Sequence, residues 1–118
     1  MISSVHNTAL SALRSFSTAI QSNSNNIANA NTDGFKKTRV TMASTAPEGV
    51  KANVQRVDTP GPAIFQNDAS GLEETEMSNV ELSRELPEMR INSNLYKANL
   101  KSIQVADEMI GNLLKLKA

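Results

Sequence analysis

The fold is decided by residues 82–114, which read LSRELPEMRINSNLYKANLKSIQVADEMIGNLL. Apolar or aromatic side chains recur every seven residues from Leu82 to Ile110, and leucines occupy several alternate positions. This spacing is typical of a long amphipathic helix that packs against another helix as in a coiled coil. The predicted seam consists of Leu82, Leu86, Met89, Tyr96, Leu100, Ile103, Ile110 and Leu114.

The same helix carries a second apolar stripe beside the seam. One partner helix cannot cover both stripes, so several neighbours are predicted. A capping box at residues 78–81, SNVE, predicts that the helix starts at Ser78. Pro87 interrupts the pattern because proline lacks an N–H, so the helix either kinks there or restarts at Pro87. The second stripe consists of Leu95, Ala106, Met109, Leu113 and Leu116.

A first amphipathic helix is predicted over residues 2–29. Its seam is rich in alanine, which permits close approach of another helix but gains little from burial, so the helix alone is marginal. Counted over residues 2–29 and 88–116, the two predicted helices are each about 42 to 44 Å long at about 1.5 Å per residue, which suits side-by-side packing. The seam consists of Ile2, Val5, Ala9, Ala12, Phe16 and Ala19.

The middle of the chain predicts a small β structure. Residues 35–42 and 50–57 contain β-branched side chains and flank Pro47 and Gly49, which favours a β-hairpin. Residues 58–77 are rich in proline, glycine and acidic side chains, which predicts a loop. The expected fold is mainly α: residues 1–34 form an N-terminal helix and motif, 35–77 the hairpin and loop, and 78–118 the C-terminal helix.

Composition argues against most chemical functions. The chain has no cysteine, one histidine, and twelve basic side chains that balance twelve acidic ones. Catalytic triads, thiolate metal sites and a positive field for nucleic acid therefore lack their residues. We expect no enzyme activity, no cofactor, no metal and no nucleic-acid partner. Neither a cleavable signal peptide nor a membrane span is apparent, since no run of about eighteen apolar residues occurs.

Some residues still invite a functional interpretation. Lys36, Lys37 and Arg39 form a basic cluster, which we interpret as an exposed strand edge, and His6 is expected at the helix surface. Two rival functions stay open at this point. One is a small export adaptor or chaperone that binds one client through the same helices. The other is an enzyme that uses a carboxylate pair between residues 58 and 76.

The most specific motif lies at residues 22–37, SNSNNIANANTDGFKK. It closely resembles the N-terminal signature of bacterial flagellar rod and hook proteins, in which an Asn-Ile-Ala-Asn-Ala-Asn-Thr stretch precedes glycine, an aromatic residue and basic residues. Residues 78–117 resemble the terminal helix of the same family. Two departures are Pro87 in the helix and Phe35 in place of the usual tyrosine. The residues that match the signature are Asn26, Ile27, Ala28, Asn29, Ala30, Asn31, Thr32, Gly34 and Phe35.

The resemblance implies a structural subunit of the flagellar basal-body rod, of the short proximal-rod type. Such a subunit polymerises through its terminal helices into the periplasmic drive shaft. Its implied partners are other copies of itself, other rod subunits and the flagellar type III export apparatus, which exports it without cleavage of a signal peptide. Heterologous contacts that never close into a ring fit helices that cannot bury their seams alone.

Overall fold

A computed structural model describes residues 2–117 of the chain. Two helices, α1 (Ile2–Ala28) and α2 (Leu82–Lys117), enclose two β-hairpins in the sequence. The first hairpin consists of β1 (Thr38–Ser44) and β2 (Val50–Arg56), and the second of β3 (Ala63–Asp68) and β4 (Gly71–Glu76). The molecule is elongated and measures 82 × 24 × 18 Å.

The two helices pack side by side and antiparallel. His6 of α1 contacts Asp107 of α2 at 2.8 Å, and Asn23 contacts Glu85 near the opposite end of the pair. With 36 residues, α2 is longer than the 27-residue α1, so the two helices are not matched in length as predicted. The predicted pair of terminal helices is therefore present. Its supercoiling as a coiled coil stays a prediction.

The first hairpin is confirmed, with Val40 opposite Val54, and it packs against α1. The prediction of a loop over residues 58–77 was wrong, because β3 and β4 pair antiparallel from Ala63–Glu76 to Asp68–Gly71. The composition of these residues suggested a loop because the hairpin is held by backbone hydrogen bonds between its strands and buries little apolar area. Within residues 2–117 it packs against no other helix or strand.

The inner surface of α1 is built from small side chains. Ala9, Ala12 and Ala19 are buried, and Phe16 is half-buried. Val5, at the N-terminal end of the predicted seam, is exposed, and the side chain of Ile2 lies outside the described part of the chain. The small residues let α1 lie close to α2 on one side and to the first hairpin on the other.

The seam of α2 is placed differently from the prediction. The predicted row of Met89, Tyr96, Ile103 and Ile110 is half-buried, and α1 is the one element among the described residues that packs against α2. The alternate positions lie three residues after each seam residue, not four. Of these, Glu85 is buried, and Asn92, Asn99 and Ala106 are half-buried. Leu82, Leu86, Leu100 and Leu114 are exposed in the isolated chain.

The start of α2 also differs from the predicted capping box. The Ser78 hydroxyl accepts the N–H of Val80 at 3.2 Å, which makes a local turn before the helix. Glu81 is the N-cap, since its carbonyl accepts the N–H groups of Arg84 and Glu85. The helix therefore begins before Pro87 and does not restart there. Pro87 falls near the N-terminus, where few helical hydrogen bonds depend on it.

Candidate functional site

Asn26 is the most buried side chain of the signature and is 1% exposed. Its amide nitrogen donates to the Thr38 carbonyl at 2.9 Å, and its Oδ1 accepts the Thr38 N–H at 3.0 Å. The side chain thus satisfies both backbone groups of Thr38 as a paired strand would. Since Thr38 is the first residue of β1, Asn26 fixes the start of the first hairpin against α1.

The residues after Asn26 end α1 and turn the chain. The Asn29 amide bonds back to the Asn25 carbonyl at 2.9 Å, and its Oδ1 accepts the Thr32 hydroxyl at 3.1 Å. Gly34 then adopts φ of +70°, in the left-handed region that glycine enters without strain. Its N–H donates to the Glu76 carbonyl at 2.8 Å. Gly34 therefore has the left-handed conformation that often follows the end of a helix.

Asn79 fixes the same junction from the other side. Its Oδ1 accepts the Lys37 N–H at 2.7 Å, and its Nδ2 donates to the carbonyls of Val57 and Thr59. The backbone N–H of Asn79 also bonds to the Phe35 carbonyl at 3.3 Å. Asn79, which lies just before α2, therefore bonds to the residue before β1 and to residues after β2, and holds both ends of the first hairpin together.

Lys36 pairs with Glu76 at the base of the second hairpin. The Lys36 ammonium, and then the N–H of Gly61 at 3.0 Å, donate to this carboxylate and hold its pKa below the usual 4.5. Gly61 has no room for a side chain, because a Cβ there would overlap the Met77 carbonyl. Lys37, only 8% exposed, is buried, so the interpretation of the basic cluster as an exposed edge was wrong for Lys37.

A polar ladder crosses the interface between the helices. The Asn23 amide donates to the Glu85 carboxylate at 2.8 Å, and Asn23 Oδ1 accepts the Asn92 amide at 2.9 Å. Asn23 thus bridges two side chains that lie one heptad apart on α2. No buried side-chain nitrogen or oxygen among the described residues lacks a hydrogen-bond partner. Buried polar groups satisfied in this way favour one register over alternatives.

The structure therefore brings only part of the signature into one cluster. Asn26 bonds to the first hairpin, Gly34 bonds to the second hairpin, and Phe35 bonds to Asn79. Ala28 and Asn31 are exposed, and Ile27 and Ala30 are half-buried near the end of α1. Sequence analysis missed the structural roles of Asn23, Thr38, Asn79, Glu85 and Asn92. A single buried asparagine leaves no periodic pattern in the sequence, although the predicted capping box at residues 78–81 includes Asn79.

This site holds backbone segments together and offers little for catalysis. Its central groups are amides bonded to backbone N–H and C=O groups, which neither accept protons nor attack carbonyl carbons at neutral pH. Within residues 2–117, no group of three or more histidine, aspartate or glutamate side chains is placed to hold a metal ion. Neither described helix has a stretch apolar enough to cross a bilayer.

Two protein families match the chain at its two ends. Residues 7–36 match the family described as "Flagella basal body rod protein". Residues 74–116 match the family described as "Flagellar basal body rod FlgEFG protein C-terminal". No curated protein matches the chain. The two matched regions include most of α1 with the turn after it and nearly all of α2 with the residues before it, and together they cover more than half of the sequence. The chain therefore belongs to the flagellar basal body rod proteins.

Proposed function

We propose that this chain is a structural subunit that polymerises through its terminal helices into the periplasmic rod of the flagellum. In this proposal it is a subunit of the short proximal-rod type, whose partners are copies of itself and other rod subunits. It includes export through the flagellar type III apparatus without cleavage of a signal peptide. The two family matches support the basal-body location and the structural class of the protein.

The observation that carries polymerisation is the apolar surface that α1 leaves uncovered on α2. Met109 is 61% exposed and Leu113 is 59% exposed, one helical turn apart. With Val5 and Val105 they line an open groove of about 480 Å³ along α2, beside the first turns of α1. Exposed apolar groups placed in a continuous groove are typical of a surface that a partner covers.

The leucines of the predicted seam extend this surface along α2. Leu86, Leu100 and Leu114 are each about half exposed or more in the isolated chain. They lie beside the row that faces α1, so one subunit presents a second side for another helix. We infer that the predicted seam serves two contacts. One row packs against α1 within the subunit, and the row of leucines packs against a helix of another subunit.

The test is incorporation of Met109→Asp into the rod. A carboxylate placed in a buried apolar contact has a severe desolvation cost, whereas on the exposed surface of the free chain it costs little. We expect the variant to keep the circular dichroism spectrum of the unchanged chain and to be absent from isolated basal bodies. Asn112→Asp, at a neighbouring exposed position, is the matched control and should incorporate normally.

Ile103→Asp, suggested by the sequence pattern, is a less selective test. Ile103 is half-buried against α1, so its loss would disturb the helix pair within one subunit as well as contacts between subunits. Normal incorporation of Met109→Asp would refute the proposed surface. A tagged chain found in a soluble complex with a single client, and not in basal bodies, would instead support an adaptor.

A further inference from the structure

The second hairpin carries a face that packs against no helix or strand among residues 2–117. Paired residues of β3 and β4 project to the same side, so Phe65, Leu72 and Glu74 share one face of the hairpin. Phe65 is 65% exposed and Leu72 is 70% exposed. An isolated two-stranded hairpin is marginal in water, and an exposed phenylalanine and leucine on one face indicate a contact still to be made.

This hairpin projects from one end of the helix pair. At about 1.5 Å per residue, α2 accounts for about 54 Å of length, whereas the molecule is 82 Å long. The hairpin and its base supply the difference. The hairpin contains no basic residue, and on the face of Phe65 and Leu72 it carries Glu74 as well as Glu76, which pairs with Lys36. A partner for it therefore needs apolar pockets and positive charge.

A cleft of about 460 Å³ on the side of the same molecule has both properties. Its walls come from α1, β1 and the beginning of α2, and its apolar side chains include Val40, Met42 and the exposed Ile91. Lys37, Arg39 and Arg84 outnumber the two acidic side chains in its lining. Arg84 pairs with Glu88 at 3.7 Å, so the remaining lining charges are Lys37 and Arg39 against Glu85.

The spacing of apolar groups agrees on the two surfaces. Phe65 and Leu72 are diagonal neighbours on the hairpin, which places them about 7–8 Å apart. Val40 and Met42 lie two residues apart on one face of β1, which corresponds to about 6–7 Å. The two apolar side chains of the hairpin face therefore have a spacing similar to that of two apolar side chains in the cleft.

We propose that the Phe65–Leu72 face of the second hairpin of one subunit docks into this cleft of a second copy of the chain. The inference rests on the proposed function and adds a specific contact to it. Because the hairpin and the cleft are different surfaces, the contact is heterologous and repeats from copy to copy without closing by symmetry. Twelve strand residues are fewer than the roughly 20–30 per side of a stable complex, so the contact forms in the assembled rod rather than between dilute monomers.

Cysteine cross-linking tests this contact directly, because the chain has no cysteine of its own. One tagged copy carries Leu72→Cys and a differently tagged copy carries Ile91→Cys, and both are produced together in cells that assemble rods. After mild oxidation of isolated basal bodies, we expect a disulfide-linked dimer that contains both tags. Each variant produced alone should give no such dimer. Gln66→Cys, on the opposite face of the hairpin, is the control for Leu72→Cys and should not cross-link.

Charge exchange provides the second measurement. Glu74→Arg and Arg39→Glu should each lower the yield of the cross-link by roughly fivefold, near the upper limit for one exposed ion pair. The two together should restore it. Variants that enter basal bodies normally but form no mixed dimer would overturn this inference and leave the proposed function intact. A cross-link of Leu72→Cys to a different rod protein would also overturn it. Absence of the unchanged chain from basal bodies would overturn the proposed function itself.

Discussion

Asn26→Ala is the sharpest test of how the flagellar signature works within one subunit. The substitution removes two hydrogen bonds at once, from the Thr38 N–H and to the Thr38 carbonyl, at a position that is 1% exposed. Each polar group left unpaired in a buried place costs about 1–3 kcal/mol. Thr38 itself is only half-buried, so water can reach part of the gap. We therefore expect a loss of about 2–4 kcal/mol in the free energy of unfolding.

Urea unfolding of the purified chain, followed by circular dichroism, measures this loss as a lower midpoint at unchanged slope. The matched control is Asn31→Ala, which makes the same chemical change at an exposed position of the same signature. Surface substitutions of this kind stay within about 0.5 kcal/mol. Equal stability of the two variants would refute the assignment of Asn26 as the clamp of β1.

Asn26→Asp adds a test of the hydrogen-bond geometry. At neutral pH the carboxylate can accept the Thr38 N–H but faces the Thr38 carbonyl without a hydrogen to donate. A protonated carboxyl can do both, so the folded state raises the pKa of this aspartate. Its destabilisation relative to the unchanged chain is then largest above the folded-state pKa and shrinks as the pH falls. A penalty that does not change with pH would contradict this pairing.

Three further predictions follow from other parts of the junction. Gly34→Val should cost about 1–3 kcal/mol of unfolding free energy because of the positive φ, and Gly34→Asn clearly less; urea unfolding and motility complementation both report this. Asn23→Ala should cost about 1.5–3 kcal/mol, since Glu85 loses its buried donor, measured by urea unfolding beside the exposed Ser24→Ala. Lys36→Met should reduce the loss of stability on acidification. The pKa of Glu76 is lowered in the folded state, so the stabilisation from its pairing with Lys36 is complete above pH 4.5 and is lost as the pH falls through the folded-state pKa. Without the Lys36 ammonium, this pH-dependent contribution is smaller.

Each of these expectations has a distinct contrary result. Equal and full rescue of motility by Gly34→Val and Gly34→Asn would mean that the junction tolerates any backbone geometry. Asn23→Ala as stable as Ser24→Ala would show that the ladder adds nothing to the helix pair. A thermal midpoint that falls equally with pH in Lys36→Met and in the unchanged chain would assign the acid sensitivity to other carboxylates.

The helices and the turn were predictable from the sequence because each leaves a local or periodic signal. The seven-residue repeat from Met89 to Ile110 locates α2 and the row that faces α1. The cluster of asparagine, aspartate and glycine after Asn29 marks the end of α1, and Gly34 has the left-handed φ expected at such a turn. These signals depend on a few neighbouring residues, so the sequence alone contains them.

The second hairpin was missed because its stability does not come from a buried face. Its apolar side chains include Phe65 and Leu72, but both point to solvent in the single chain, and the residues between them are polar or small. Hydrophobic periodicity detects a strand through the core that it covers. A strand whose apolar residues await another molecule lacks that core, and it therefore has the composition of a loop.

The difference between the predicted and the observed alternate positions of the α2 seam has a related physical cause. The apolar pattern assigned the alternate positions to Leu86, Leu100 and Leu114, whereas the chain buries Glu85 and half-buries Asn92 and Asn99 beside the same row. The partner decides this choice, because Asn23 of α1 presents an amide that only polar groups on α2 can satisfy. Burying leucines against that amide would leave its hydrogen bonds unmade at a cost of about 1–3 kcal/mol. The polar interface thus fixes the register within the subunit and leaves the leucines outside it, where a neighbouring helix can cover them.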